Sequence, residues 1–148
     1  MKKGNCGNIL CMKPKIVIRY GRLIEPFFKP YIEQKYPEHV FLTPDEVLQK
    51  VGIFKDEWSR YEDKFIDGLD KIGLRYIRNR IDVFIVSATT RDMSAPMILR
   101  AKYSPKEFVS VLCHELIHNL FADHNLAKNM NIEKRQIVLE IIFTLLQY

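Results

Sequence analysis

The chain has 148 residues, enough for one domain that buries its own core without disulfide staples. Its 47% hydrophobic and 28% charged residues exclude extended disorder, collagen-like repeats and mucin-like stalks. Lys plus Arg exceeds Asp plus Glu by 23 to 18, giving a net charge of +5; the densest basic group, Lys71, Arg75, Arg78 and Arg80, reads as a solvated helix end rather than a nucleic-acid surface, since no aromatic interleaving accompanies it.

Residues 1–13 read as a flexible tail, and residues 14–148 as one α+β domain. Met12-Lys13-Pro14-Lys15 leads straight into the first apolar run, so Met12 is an alternative start. The alternation around Ile16, Val17 and Ile18 predicts a strand over 15–20. A helix is expected from about Pro30, with proline in its first turn. Val40-Phe41-Leu42 is a short strand or connector. Thr43-Pro44-Asp45-Glu46 is a capping box, opening a helix through Val47, Leu48 and Val51 that Gly52 is expected to stop. Phe54 to Ile72 is a second helical run, with Trp58, Tyr61, Phe65, Leu69 and Ile72 at helical spacing and Gly73 as its C-terminal glycine. Ile81–Val86 is the strongest strand, rich in β-branched residues and bounded by charged turns. Thr89–Pro96 reads as a polar turn and Met97–Lys102 as the second strand of the pair. Ser104-Pro105-Lys106-Glu107 is another capping box, opening a helix over Phe108–Phe121 that breaks near Asp123-His124-Asn125. A last helix is expected over Ile132–Leu146.

The three cysteines, Cys6, Cys11 and Cys113, are too few and odd in number for a disulfide framework, which suggests a reducing compartment, the cytoplasm. The apolar run at Ile9–Met12 is far short of a signal h-region. The longest apolar run, from Ile137, carries Glu140 and is too short to span a bilayer, so no membrane partner is expected.

The chemistry lies in the helix opened by Ser104, at His114-Glu115-Leu116-Ile117-His118. Helix positions four apart are about 40° apart around the axis and roughly 6 Å along it. Two imidazoles so placed can hold one metal ion, each at about 2.0–2.1 Å. Glu115 projects beside that ion rather than onto it, placed to take a proton from water whose pKa the metal lowers toward neutrality.

These residues resemble the HExxH zinc metallopeptidases, the zincins, over about residues 81–148. The resemblance implies a small twisted sheet, an HExxH helix and a C-terminal helix packed against it. It implies Zn2+ as cofactor, a peptide or protein as substrate, His114 and His118 as ligands, and Glu115 as general base. It implies, too, that the strand near Met97–Lys102 lines the cleft as an edge for an extended substrate. A catalytic zinc takes a third protein ligand. Glu140 is favoured, 22 residues after His118 as in the gluzincins and at the centre of the polar stripe Glu133, Gln136, Glu140, Thr144, Gln147. His124 is the alternative, at the spacing of HExxHxxGxxH but with Phe121 at the glycine position. Glu133, Asp123 or a ligand from another chain remain after these. Tyr103 and Arg100 are candidates for stabilising an oxyanion. Cys113 reads as a packed thiol and His39 as a loop histidine. The rival readings are a zinc-stabilised binding module without activity and a regulatory protease of one partner protein.

Overall fold

The computed structural model describes residues 13–71 and 73–123. Among the described residues, four strands and four helices follow in the order β1 (Lys15–Tyr20), α1 (Glu25–Lys35), α2 (Pro44–Ser59), α3 (Glu62–Lys71), β2 (Arg80–Val86), β3 (Met93–Ser94), β4 (Met97–Arg100) and α4 (Pro105–Asp123). The fold is α+β, with a small open mixed sheet in the order β1-β2-β4-β3. β1 and β4 both run parallel to β2, with Ile16 opposite Ile81 and Ile85 opposite Leu99. β3 is antiparallel to β4, with Met93 opposite Ile98.

Side chains alternate across a strand, which divides β2 between two faces. Ile81, Val83 and Ile85 join Met97, Leu99 and Ile18 in the main core with α2, α3 and α4. Within it Phe54 of α2 stacks on Phe108 of α4, ring centroids 4.0 Å apart, and both rings are fully buried. Trp58 meets Phe65 edge-on between α2 and α3.

Several boundaries differ from the sequence expectation. α1 begins at Glu25, not Pro30. Gly21 accepts from the backbone N–H groups of Ile24 and Glu25, turning the chain directly from β1 into the helix. Pro26 occupies the first turn, where no N–H is needed, and Pro30 lies inside the helix. α2 runs through Gly52 to Ser59, because Val47, Val51, Phe54 and Trp58 form one continuous buried face. A mid-helix glycine costs about 1 kcal/mol relative to alanine, less than the burial of Phe54 and Trp58 contributes. The break comes instead at Arg60 and Tyr61, whose N–H groups bond three residues back. The capping box at Thr43 is present as expected. Gly73, at φ 82°, ends α3 as expected; its N–H bonds Asp70 and that of Leu74 bonds Leu69, a Schellman arrangement. Val40-Phe41-Leu42 is a connector.

Met97–Lys102 is not an edge. The strand is Met97–Arg100, and it lies between β2 and β3. Its consecutive buried residues Met97, Ile98 and Leu99 are the pattern of a strand covered on both faces. The edge on that side of the sheet is β3, which forms inside the segment read as a turn. Among the described residues no helix is long and apolar enough to cross a membrane. The expected tail and the expected helix over 132–146 lie outside the described residues, apart from Lys13, which is ion-paired with Asp67 at 2.9 Å.

Candidate functional site

α4 is buried over most of its circumference, through Phe108, Val109, Leu112, Cys113, Leu116, Ile117, Leu120 and Phe121. Its start is fixed locally: Ser104 N–H donates to Glu107 Oε2 at 2.9 Å, and Glu107 N–H donates to Ser104 Oγ at 3.3 Å. Further along, the buried Tyr76 hydroxyl donates to the Leu116 carbonyl at 2.6 Å, inside the HExxH turn. Arg78 bonds Asp123 at 2.6 Å near the end of the described helix. The one face left open carries Ser110, Val111, His114, Glu115 and His118.

On that face the Nε2 atoms of His114 and His118 converge to 2.9 Å, with ring centroids 4.6 Å apart and an interplanar angle of 74°. His114 and Glu115 line a cavity of about 330 Å3 together with Asp92, Arg100, Tyr103, Ser110 and Val111. Burial, and after it the Asp92 charge, pushes the Glu115 carboxyl up to about 7. Both act against the carboxylate form.

The rest of the lining contains a hydrogen-bonded unit. Asp92 Oδ1 accepts from the Arg100 backbone N–H at 2.9 Å. Asp92 Oδ2 accepts from Arg100 Nη2 at 2.9 Å and from the Tyr103 hydroxyl. The guanidinium also donates to the Tyr103 oxygen and lies over its ring at 5.1 Å. Burial first, then the bond to Asp92, pushes the Tyr103 phenol up to about 12. From behind, Lys50 Nζ of α2 donates to the Tyr103 carbonyl at 2.8 Å.

The edge strand is tied to the same helix. Asn119, one turn after Glu115, is buried and donates from Nδ2 to the Ser94 carbonyl at 3.0 Å. β3 is thereby held against the end of α4 that carries His118.

The fold thus brings together His114, Glu115 and His118, with Arg100 and Tyr103 lining the same cavity as His114 and Glu115. Of the remaining candidates, Asp123 is bonded to Arg78, while Glu133, Glu140 and His124 lie outside the described residues. Among the described residues no three of His, Cys, Asp and Glu group to hold a metal. Cys113 is packed as expected, its thiol pushed up to about 12 by burial. His39 is in the connector, its Nε2 2.8 Å from the Ser87 carbonyl. Arg75, Arg78 and Arg80 of the basic group pair with Asp70, Asp123 and Asp82. Sequence reasoning missed Asp92 and Asn119. An aspartate in a polar turn and an asparagine inside an apolar helix stretch were the signals, and the second is the stronger, since buried amides need partners.

No family model, no curated protein and no solved structure matches the chain.

Proposed function

We propose that the chain is a zinc-dependent peptidase of zincin type, hydrolysing peptide bonds with His114 and His118 as zinc ligands and Glu115 as general base. The observation that carries this reading is the convergence of the two Nε2 atoms at 2.9 Å beside Glu115 at the mouth of a cavity. The donor set fits the ion: two nitrogens sharing a tetrahedral zinc stand roughly 3.4 Å apart, a few tenths of an ångström beyond the observed spacing. Two imidazoles with a carboxylate or a third imidazole favour zinc over hard cations.

A zinc ion held there supplies a Lewis acid that polarises a carbonyl and lowers the pKa of water. The chain's own residues do the rest. Glu115 takes the proton of the attacking water and hands it to the leaving amine. Its partial burial keeps the proton it carries from being lost to bulk solvent. Arg100 lines the same cavity as a donor toward the developing oxyanion, braced by Tyr103, whose one hydroxyl proton is given to Asp92. β3 is the sheet edge beside α4, and an extended peptide pairs along it through backbone groups other than the Ser94 carbonyl, which Asn119 takes. Glu140 is the favoured third ligand, His124 the alternative, and the cytoplasm the proposed compartment.

The test is bound zinc per chain by elemental analysis, together with cleavage of a peptide library. Wild type and Glu115→Gln are expected to carry about one zinc. His118→Ala and Glu140→Ala are expected to lose it, and Glu115→Gln to cut nothing. A wild type without zinc, or a Glu115→Gln variant that still cuts, overturns the reading. Zinc retained in Glu140→Ala transfers the third ligand to His124.

A further inference from the structure

We infer that Asp92, a residue of the β2–β3 connection, is the positioning residue of this site: its carboxylate holds the Arg100 guanidinium and the Tyr103 hydroxyl as one wall of the cavity that Glu115 lines. The inference rests on the peptidase reading above and adds to it a residue that no sequence motif marks. Three features of the geometry carry it. Both Asp92 oxygens are engaged, one by the Arg100 backbone and the other by two side chains, so a single carboxylate sets the end of β4 and the turn after it. The Asp92 side chain is only 10% exposed and that of Arg100 26%, so solvent screens the pair little. The wall has no second acceptor of that kind: among the described residues Asp92 and Glu115 are the only carboxylates lining the cavity.

The physical consequence is direct. Left alone, a phenol at the end of a Tyr side chain rotates about two torsions, and a guanidinium about four. With Asp92 bonded to both, and Lys50 holding the Tyr103 backbone from α2, the Arg100 guanidinium stands ready before substrate arrives, braced by Tyr103, whose one hydroxyl proton goes to Asp92. Preorganised donors need no reorientation during reaction, and a displacement of about 1 Å in such a group costs up to roughly 100-fold in rate. Asp92 is bonded to Arg100 and Tyr103 and holds them in place; its charge also acts on Glu115, which lines the same cavity.

The experiment compares wild type, Asp92→Asn, Tyr103→Phe and the double variant, each checked for folding by circular dichroism. Asn keeps an acceptor of the same shape and removes the charge, so it tests the position without opening a hole. In the metal-free protein labelled with 13C at tyrosine Cζ, the Tyr103 resonance, assigned from Tyr103→Phe, is expected to shift in Asp92→Asn. In the zinc-loaded protein, Asp92→Asn is expected to keep its zinc and to lose about tenfold or more in kcat, with KM within about threefold. The double variant is expected to be no worse than the more impaired single variant, since both changes break one unit. An unmoved Tyr103 resonance, an intact kcat, or a fall in activity that follows zinc content overturns the inference. If wild type cuts and Asp92→Asn cuts equally well, the inference alone fails. If wild type with its zinc cuts nothing, the peptidase reading fails and the positioning role fails with it.

Discussion

Gly21 shows how little room the sheet leaves at the point where β1 turns into α1. Its N–H donates to Ile85 at 2.9 Å, which extends the β1–β2 ladder by one bond. A Cβ there would stand 2.6 Å from Val86 Cγ1 and 3.3 Å from Phe84 Cβ. Val86 is fully buried, so its methyl has nowhere to move. Gly21→Ala is therefore expected to destabilise by about 1–3 kcal/mol, the usual cost of overpacking. Adding Val86→Ala to that variant should make its cost smaller than the sum of the two single changes, which urea denaturation of the four proteins checks. The same tightness matters for the site, because Glu25, four residues further on, accepts from the N–H groups of Ser87 and Ala88. That contact anchors the start of the connection leading to Asp92.

At the scale of elements, α4 is positioned by its ends as much as by its core. The Ser104–Glu107 box sets where the helix begins, and hence the angle at which His114 and Glu115 emerge roughly two and a half turns later. The Ser104 backbone and hydroxyl hold the Glu107 carboxyl below the usual carboxylate range. A carboxyl lowered on folding contributes stability above its unfolded pKa and loses it as pH falls through the folded one. The stability gap between wild type and Glu107→Gln is accordingly expected to be present at neutral pH and to close on acidification below the ordinary carboxylate range, read from urea midpoints across that range. A gap that widens toward acid contradicts this sign. Contacts in the first turn and near the middle complete the placement: Phe108 on Phe54, and Tyr76 on the Leu116 carbonyl.

For the whole molecule, the consequence of the proposed metal site is a link between zinc and stability. A ligand that binds only the folded chain stabilises it by about 2.7 kcal/mol at 100 times its dissociation constant. Adding zinc to metal-free protein should raise Tm in a concentration-dependent way, and His118→Ala should abolish the rise. A Tm that ignores zinc in differential scanning calorimetry contradicts a site built on His114 and His118. The fold makes such coupling natural, because the helix bearing the pair is packed against α2, β3 and β4 at once.

The sequence by itself determined those features whose causes are local. The two capping boxes were legible because each closes hydrogen bonds within three residues, at Thr43–Glu46 and Ser104–Glu107. The strands at Lys15–Tyr20 and Arg80–Val86 were legible from β-branched alternation, and His114 and His118 share one face because the helical repeat requires it. Only the tertiary structure decided that α2 passes through Gly52, since the face that carries it across is buried by α4 and β1. Only the tertiary structure made β4 an interior strand and β3 the edge, since a strand's own residues set which way its side chains alternate but not which strand lies alongside. The meeting of Asp92 with Arg100, Tyr103 and Glu115 belongs to the same class. These groups come from a loop, a strand end, a turn and a helix. What joins them is sheet pairing and helix packing across the chain, and such long-range contacts leave no periodic trace in the sequence.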